Sequence, residues 1–412
     1  MFCFLILVKF MSSTRTYYNG AVNNTTASLR QSNLSRALLL LHERAEVTRA
    51  ELTSALAVSR NTTAQVVGDL VAYGLVEELD APRTGRRGRP TTTLRPGPVS
   101  PVTVACEVAP HQVRIGVVRI GRRLTDLQVH RLPDDSPQSV IKLLRDLLPA
   151  VVARFANRCV GVSVAIYGLV DPSGRVDIAA NLGWNGVPLQ EELSATGSLG
   201  VPVVVGNDAS LAALYEARHG AGRHAGTCLY LYGATGVGGG LTVDGRLMSG
   251  RHGYTGEVGH MLINPQGRTC RCGRVGCWET EVDWWALRRR WKPIEDRGAD
   301  DEAAAREVYE AAERGDERAI QSVRDTAAWL GEGLGSLLNV IDPDVIVLAG
   351  GLSSLYSADP ATVLSHALAR RIGRPVDLRE ILVVSSDQRD AALLGAAERL
   401  LQPVLEQPPL PE

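Results

Sequence analysis

Between Glu257 and Glu279 the chain places one histidine and three cysteines, His260, Cys270, Cys272 and Cys277, at short, turn-rich spacing. A carboxylate stands just outside each end of the set. No other stretch constrains the fold as strongly. Three soft thiolates and one imidazole complete a tetrahedral zinc shell and leave no position for a catalytic water. Metal binding of this kind folds a loop and fixes whatever lies beside it. Here Glu257 and Glu279 lie beside it, so the loop is expected to shape a binding pocket.

Cysteine usage points the same way. Three of the seven cysteines fall within eight residues, which argues for metal over a disulfide framework and for a reducing, cytoplasmic setting. The opening Met1–Val8 is apolar but short, and it lacks a basic n-region and a small-residue cleavage site, so it is not read as a signal peptide. Met11 is an alternative start. No run approaches the roughly 18 apolar residues that a membrane helix needs. The 412 residues suffice for two or three domains. The formal charge of −1 hides a split: residues 1–97 hold 12 Lys and Arg against 7 Asp and Glu, and the remainder 32 against 38. A basic head on a mildly acidic body suits a nucleic-acid reader joined to a larger unit.

The head carries local signals of its own. Residues 12–29 are rich in Ser, Thr and Asn, and residues 1–29 are expected to form a disordered tail. From Asn33, the residues Leu34, Leu38, Leu39 and Leu41 share a helical face. Thr48-Arg49-Ala50-Glu51 is a capping box that opens a second helix through Leu56. Ser59 caps a third helix, which Gly74 stops. Two short strands, Leu75–Glu78 and Thr92–Leu94, flank a basic loop. Three helices and a hairpin predict a winged helix-turn-helix over residues 30–97. Arg60, Asn61, Thr62 and Gln65 would then face base edges and phosphates. Arg86, Arg87 and Arg89 would enter a minor groove, the alternative being a solvated linker.

Residues 98–412 read differently. Hairpin strands at 102–108 and 113–118, a helix at 137–155, and apolar strands at 160–165, 201–205, 227–232 and 345–348 predict α/β lobes. Several of these strands end in glycine turns, which cradle phosphate or serve as plain tight turns.

The ordered set is more specific. Gly168, Asn207-Asp208, Thr235–Gly240, Glu257-x-x-His260, Cys270-x-Cys272-x4-Cys277-x-Glu279 and Gly350-Gly351 together resemble the ROK family of repressors, open reading frames and sugar kinases. The likeness covers about residues 33–405. It implies a two-lobed, actin-like ATPase domain behind the winged helix of the regulator branch. It also implies that Asp208 is the kinases' general base for a sugar hydroxyl, retained here for sugar binding. Gly168, Asn207, Glu257, His260 and Glu279 would be the other sugar-binding residues. The implied zinc ligands are His260, Cys270, Cys272 and Cys277, and the implied remnant of the nucleotide loops is Thr235, Gly236, Gly238, Gly350 and Gly351.

One departure from the kinases stands out. Where they carry an Asp-x-Gly-Gly-Thr phosphate turn, this chain has Glu107-Val108-Ala109-Pro110-His111. Both glycines are gone, and Pro110 removes a backbone donor. Phosphoryl transfer depends on positioning and charge stabilisation, so losing the cradle weakens it. The expectation is therefore a sugar-responsive transcriptional repressor of carbohydrate metabolism, a degenerate kinase with structural zinc and without ATP. Its partners would be operator DNA, a sugar or sugar phosphate, and a second copy of itself in a dimer or dimer of dimers. The alternatives are an ATP-dependent sugar kinase with a regulatory DNA-binding head, and a regulator that answers to a protein partner.

Overall fold

The computed structural model describes residues 26–79, 92–195, 197–292, 301–373, 376–386 and 389–408. The basic loop with Arg86, Arg87 and Arg89 lies outside the described residues. The chain divides into two compact units. The first takes in the chain through Ala165, Pro188–Val205 and the residues from Ala396 on; the second is Ile166–Val187 with Gly206–Gly395.

The first unit opens with helices α1 (Thr26–Arg44), α2 (Arg49–Leu56) and α3 (Arg60–Ala72). Helix α1 starts at Thr26, inside the stretch whose composition suggested a disordered tail. The reason is not local: Arg30 anchors the first turns to Asp69 at 2.8 Å and Tyr73 at 3.2 Å. The capping box forms as predicted, with Thr48 accepting from the Glu51 amide and Glu51 accepting from the Thr48 amide. Ser59 caps α3 by accepting from the Thr62 amide at 3.1 Å, and Gly74 follows its end at φ +67°. Strands β1 (Val47–Thr48), β2 (Val76–Leu79) and β3 (Thr93–Pro96) form an antiparallel sheet with β3 in the middle. Leu34, Leu38, Leu52, Val67 and Leu94 are buried between helices and sheet, and Ile120 and Leu405 join the same cluster.

A five-stranded sheet follows: β4 (Val102–Ala109), β5 (Gln112–Arg119), β6 (Arg123–Arg131) and β7 (Cys159–Ile166) with the strand Val203–Asn207. Its order runs from Val203–Asn207 through β7, β4 and β5 to β6 at the edge. Strands β4 and β7 are apolar runs buried along their whole length. Strand β6 extends the predicted hairpin to three strands, its charged residues suiting a solvent-facing edge.

No structural break separates head from sheet at residue 97. The β5–β6 turn, Gly121-Arg122, docks on α1. The Gly121 amide donates to His42 Nδ1 at 3.3 Å, and Arg122 donates to the Glu43 carbonyl at 2.7 Å. Because His42 Nδ1 accepts, its proton sits on Nε2, which donates to Glu398 at 2.5 Å. Both side chains are buried at 1% exposure.

In the second unit, helix α4 (Asp208–His219) precedes strands β8 (Thr227–Gly233) and β9 (Val237–Val243). Helices α5 (Trp284–Trp291) and α6 (Glu317–Ile341), strand β10 (Val345–Gly350) and helix α7 (Gly351–Ala358) complete the main layers. Strand β8 pairs with β9 antiparallel and with β10 in parallel. Its Leu229 and Leu231, with Ile346 and Leu348, form the core against Leu330 and Leu334 of α6.

Strand β9 contains Gly238, Gly239 and Gly240, and its neighbours explain them. A Cβ on Gly240 would meet Ala213 Cβ at 2.5 Å and the Ala209 carbonyl at 2.9 Å; one on Gly239 would meet the Gly256 carbonyl at 2.7 Å. The strand therefore lies pressed between α4 and the Gly256 loop with no room for side chains. Gly240→Ala should lower stability by about 1–3 kcal/mol through overpacking. Gly68→Ala, whose methyl meets nothing within 4 Å, should instead raise it by about 0.5–1 kcal/mol. Calorimetric melting of the two variants checks the pair.

Candidate functional site

Asn207 and Asp208 sit where a strand meets a helix. Asn207 caps α4 by accepting from the Ser210 amide at 2.8 Å, and its Nδ2 donates to the Gly168 carbonyl at 3.0 Å and to Asp208 Oδ1 at 3.1 Å. Asp208 is thus the first residue of the helix, where the dipole favours an ionised carboxylate. Gly168 enters through its backbone. A Cβ there would meet the Ile178 carbonyl at 2.8 Å.

Glu257 is fixed by its flanking glycines. Gly256 and Gly259 each press against β9, at the Gly239 and Val237 carbonyls. Burial, then the Glu279 carboxylate, pushes Glu257 up to about 7. Glu279 reaches the same strand at its first residue, accepting from the Val237 amide at 3.2 Å. Strand β9 therefore carries both acids, while α4 with Asp208 packs along it.

The one histidine and three cysteines come together in a cluster that could hold a metal ion. Ligand atoms of His260, Cys270, Cys272 and Cys277 all lie within 4.8 Å of one another. Cys270 Sγ is 3.7 Å from His260 Nδ1, and Cys272 Sγ is 3.6 Å from Cys277 Sγ. Metal bonds of about 2.3 Å to sulfur and about 2.0 Å to nitrogen place tetrahedral corners roughly 3.5–3.8 Å apart. The donor set can close on one metal ion with little movement. Burial, reinforced by Glu279, pushes the Cys270 thiol upward, and burial with the Cys272 contact pushes Cys277 up to about 11. Ionising these two thiols beside a carboxylate calls for a cation. His260 divides its ring: Nδ1 faces Cys270 and Glu279, while Nε2 is 3.9 Å from Glu257.

Side chains that the sequence reading passed over hold this loop. Trp278 is fully buried and donates to the Trp329 carbonyl at 2.9 Å, its ring against Gly333 of α6. Glu281, also buried, accepts from Asn264 at 3.0 Å and from Arg290 at 2.5 Å. Arg271 donates to Asn181 in the turn before the buried Trp184. The run Asn181-Leu182-Gly183-Trp184, with its glycine and aromatic, was the available signal.

The nucleotide-loop residues separate. Thr235 and Gly236 lie in the β8–β9 turn, but Gly238 belongs to β9, where a Cβ would meet Ala209 Cβ at 2.9 Å. Packing against α4 is reason enough for a glycine there. Gly350 ends β10 and Gly351 begins α7, against the Trp284 indole. In the first unit, Glu107 is paired with its cross-strand neighbour Arg114 at 2.7 Å, both nearly buried. The Pro110-His111 turn holds a carboxylate: the His111 amide donates to Asp135 at 2.6 Å. On α3, Arg60, Asn61 and Gln65 are exposed along one side, whereas Thr63, Val66 and Val67 are buried. Thr62 is half-buried, its hydroxyl on that of Ser59 at 2.9 Å.

The fold is mixed α/β, with Glu257 and Glu279 set against one glycine strand and a His/Cys cluster beside Glu279. The ROK family profile matches residues 104–402, and the chain belongs to the ROK family. A glucokinase of Streptomyces coelicolor is 30% identical over 267 residues, spanning 61% of this chain and 82% of the glucokinase. A xylose repressor of Bacillus spizizenii is 25% identical over 372 residues, spanning 87% of this chain and 92% of the repressor. Among solved structures, a ROK family transcriptional regulator described as a homolog of the E. coli MLC protein superposes with a TM-score of 0.70. At 22% identity, over 92% of this chain and 97% of that one, it establishes the shared fold.

If the cluster holds a metal, the purified protein should carry about one equivalent of it per chain. Cys277→Ser should release it and lower the melting temperature. Elemental analysis beside calorimetry checks this; metal-free protein with an unchanged melting point would refute the site.

Proposed function

We propose that this protein is a sugar-responsive, DNA-binding transcriptional repressor whose kinase-derived domain reads its ligand without phosphorylating it. The observation that carries the proposal is the pair Asp135–His111. A phosphate cradle works by offering backbone N–H groups to an anion, and here the amide of the equivalent turn already serves the protein's own carboxylate at 2.6 Å. Glu107, at the position of the Asp in the kinases' phosphate turn, is likewise spent on Arg114. The sugar side keeps its chemistry. Asp208, Glu257 and Glu279 offer acceptors and His260 Nε2 a donor, a set suited to vicinal hydroxyls, while Asn207 would hold Asp208 in place through Nδ2. Zinc at His260, Cys270, Cys272 and Cys277 would be structural, holding Glu257 and Glu279 in place.

In the head, the three helices and the sheet would make a winged helix. The exposed side of α3, with Arg60, Asn61 and Gln65, would lie in a major groove. Two copies in a cytoplasmic homodimer would read a pseudo-palindromic operator. The similarity to a xylose repressor over 87% of this chain, against 61% for a glucokinase, supports a regulator with its head included. Sugar acts only through its different affinity for the DNA-competent and DNA-incompetent states.

Glu257→Ala should abolish sugar-induced release from the operator and leave operator affinity within about twofold, as binding assays with and without a hexose panel would show. Gln65→Ala should reverse the pattern, losing about 1–3 kcal/mol of operator binding while keeping sugar binding. Hexose phosphorylation at about 1 per second or faster would overturn the proposal in favour of a kinase.

A further inference from the structure

A cavity of about 480 Å³ opens between the head and the first sheet, and none of the sugar or metal residues lines it. Its charged lining is Glu46, Glu77 and Arg95 from the head and Arg119 and Arg123 from the β5–β6 hairpin. Glu77 and Arg95 bind each other, and Glu46, exposed like Arg123, is one carboxylate against the two remaining guanidinium groups of the lining. Those groups belong to the hairpin arginines. They are direct cross-strand partners, an arrangement that costs stability because like charges face each other. The Arg123 side chain makes no hydrogen bond or ion pair among the described residues. Arg119 has only the Thr125 hydroxyl at 3.3 Å, with its guanidinium 5.2 Å from the centre of the Phe155 ring.

The surroundings add positive charge. Arg154 and Arg158 stack on the same Phe155 ring at 5.5 and 5.4 Å. Asp126 is the nearby acid, and it is already committed to Arg154 at 2.8 Å. Burial, then Arg158, lowers the Arg119 pKa from its ordinary value; Asp126 opposes this, and Arg123 and Arg154 add to it. A protein that holds guanidinium groups together without acids to match gains by taking up an anion.

We propose that this cavity is a second ligand site, which takes a small phosphorylated metabolite with Arg119 and Arg123 gripping the phosphate. A volume of about 480 Å³ suits a molecule larger than inorganic phosphate. The walls give the site its purpose. Ala45 and Gly97 belong to the head side and Ile120 and Thr125 to the hairpin, so a bound anion would brace the head against the first sheet. The site goes beyond sugar sensing and does not depend on it.

The test is calorimetric titration of the full-length protein with inorganic pyrophosphate at about 50 mM salt, where screening is weak. The expected result is saturable binding with a Kd below about 1 mM, weakened about tenfold or more in R119Q/R123Q. Should the double variant fold poorly, R123Q alone decides, since that side chain is exposed. Asp208→Asn should leave pyrophosphate binding unchanged, which separates this site from the sugar residues. Absence of saturation up to about 10 mM, or equal affinity in wild type and R123Q, overturns the proposal. So does a third result: no pyrophosphate binding, but a weaker operator complex in R123Q with its salt slope reduced by about one. That outcome would make the arginines contacts to the DNA backbone.

Discussion

The second unit depends on a strand that has given up its side chains. Van der Waals exclusion at Gly238, Gly239 and Gly240 lets β9 lie against α4 on one side and the Gly256 loop on the other. Every acid of the candidate site takes its position from that contact. Asp208 starts the helix that packs on the strand, Glu257 lies between two glycines pressed against it, and Glu279 accepts from its first amide. The His/Cys cluster secures the far end of the same arrangement through Cys270, whose thiol donates to Glu279 at 2.7 Å. Backbone contact is stiffer than side-chain packing because it offers no rotamers to relax into. The acids are thereby held in one geometry.

How legible this was in the sequence depended on the range of the forces involved. Thr48 with Glu51, Ser59, and the metal-ligand spacing all act within a few residues, and each appears where the sequence placed it. The glycine run was visible but ambiguous, because tight turns, phosphate loops and close strand packing all use the same residue. Only the neighbours Ala209, Ala213 and Gly256 settle its use, and none of them is marked in sequence. Strand β6 was hidden for a different reason. Its residues Arg123–Arg131 are mostly polar, and an edge strand needs little apolar patterning.

The hardest features to foresee were pairs far apart in the chain. Asp135 meets the His111 amide across 24 residues, and His42 meets Glu398 across 356. A missing glycine could be read directly from Ala109-Pro110-His111, but not that a carboxylate would fill the vacated role. Loss of a cradle and occupation of a cradle differ chemically. The first weakens anion binding, whereas the second sets an internal competitor against it.

Leu405 has a consequence for how the protein comes into being. The hydrophobic core of the head, built from residues near the start of the chain, includes a side chain about 300 positions further along than its nearest companion Ile120. Gln31 likewise bonds the Pro408 carbonyl at 2.9 Å. During synthesis the early helices leave the ribosome long before these partners exist, although domains otherwise tend to fold in order of emergence. The head is therefore finished last, and a chain interrupted anywhere within the second unit would carry an incomplete one. Completion of the whole polypeptide becomes a precondition for a mature head.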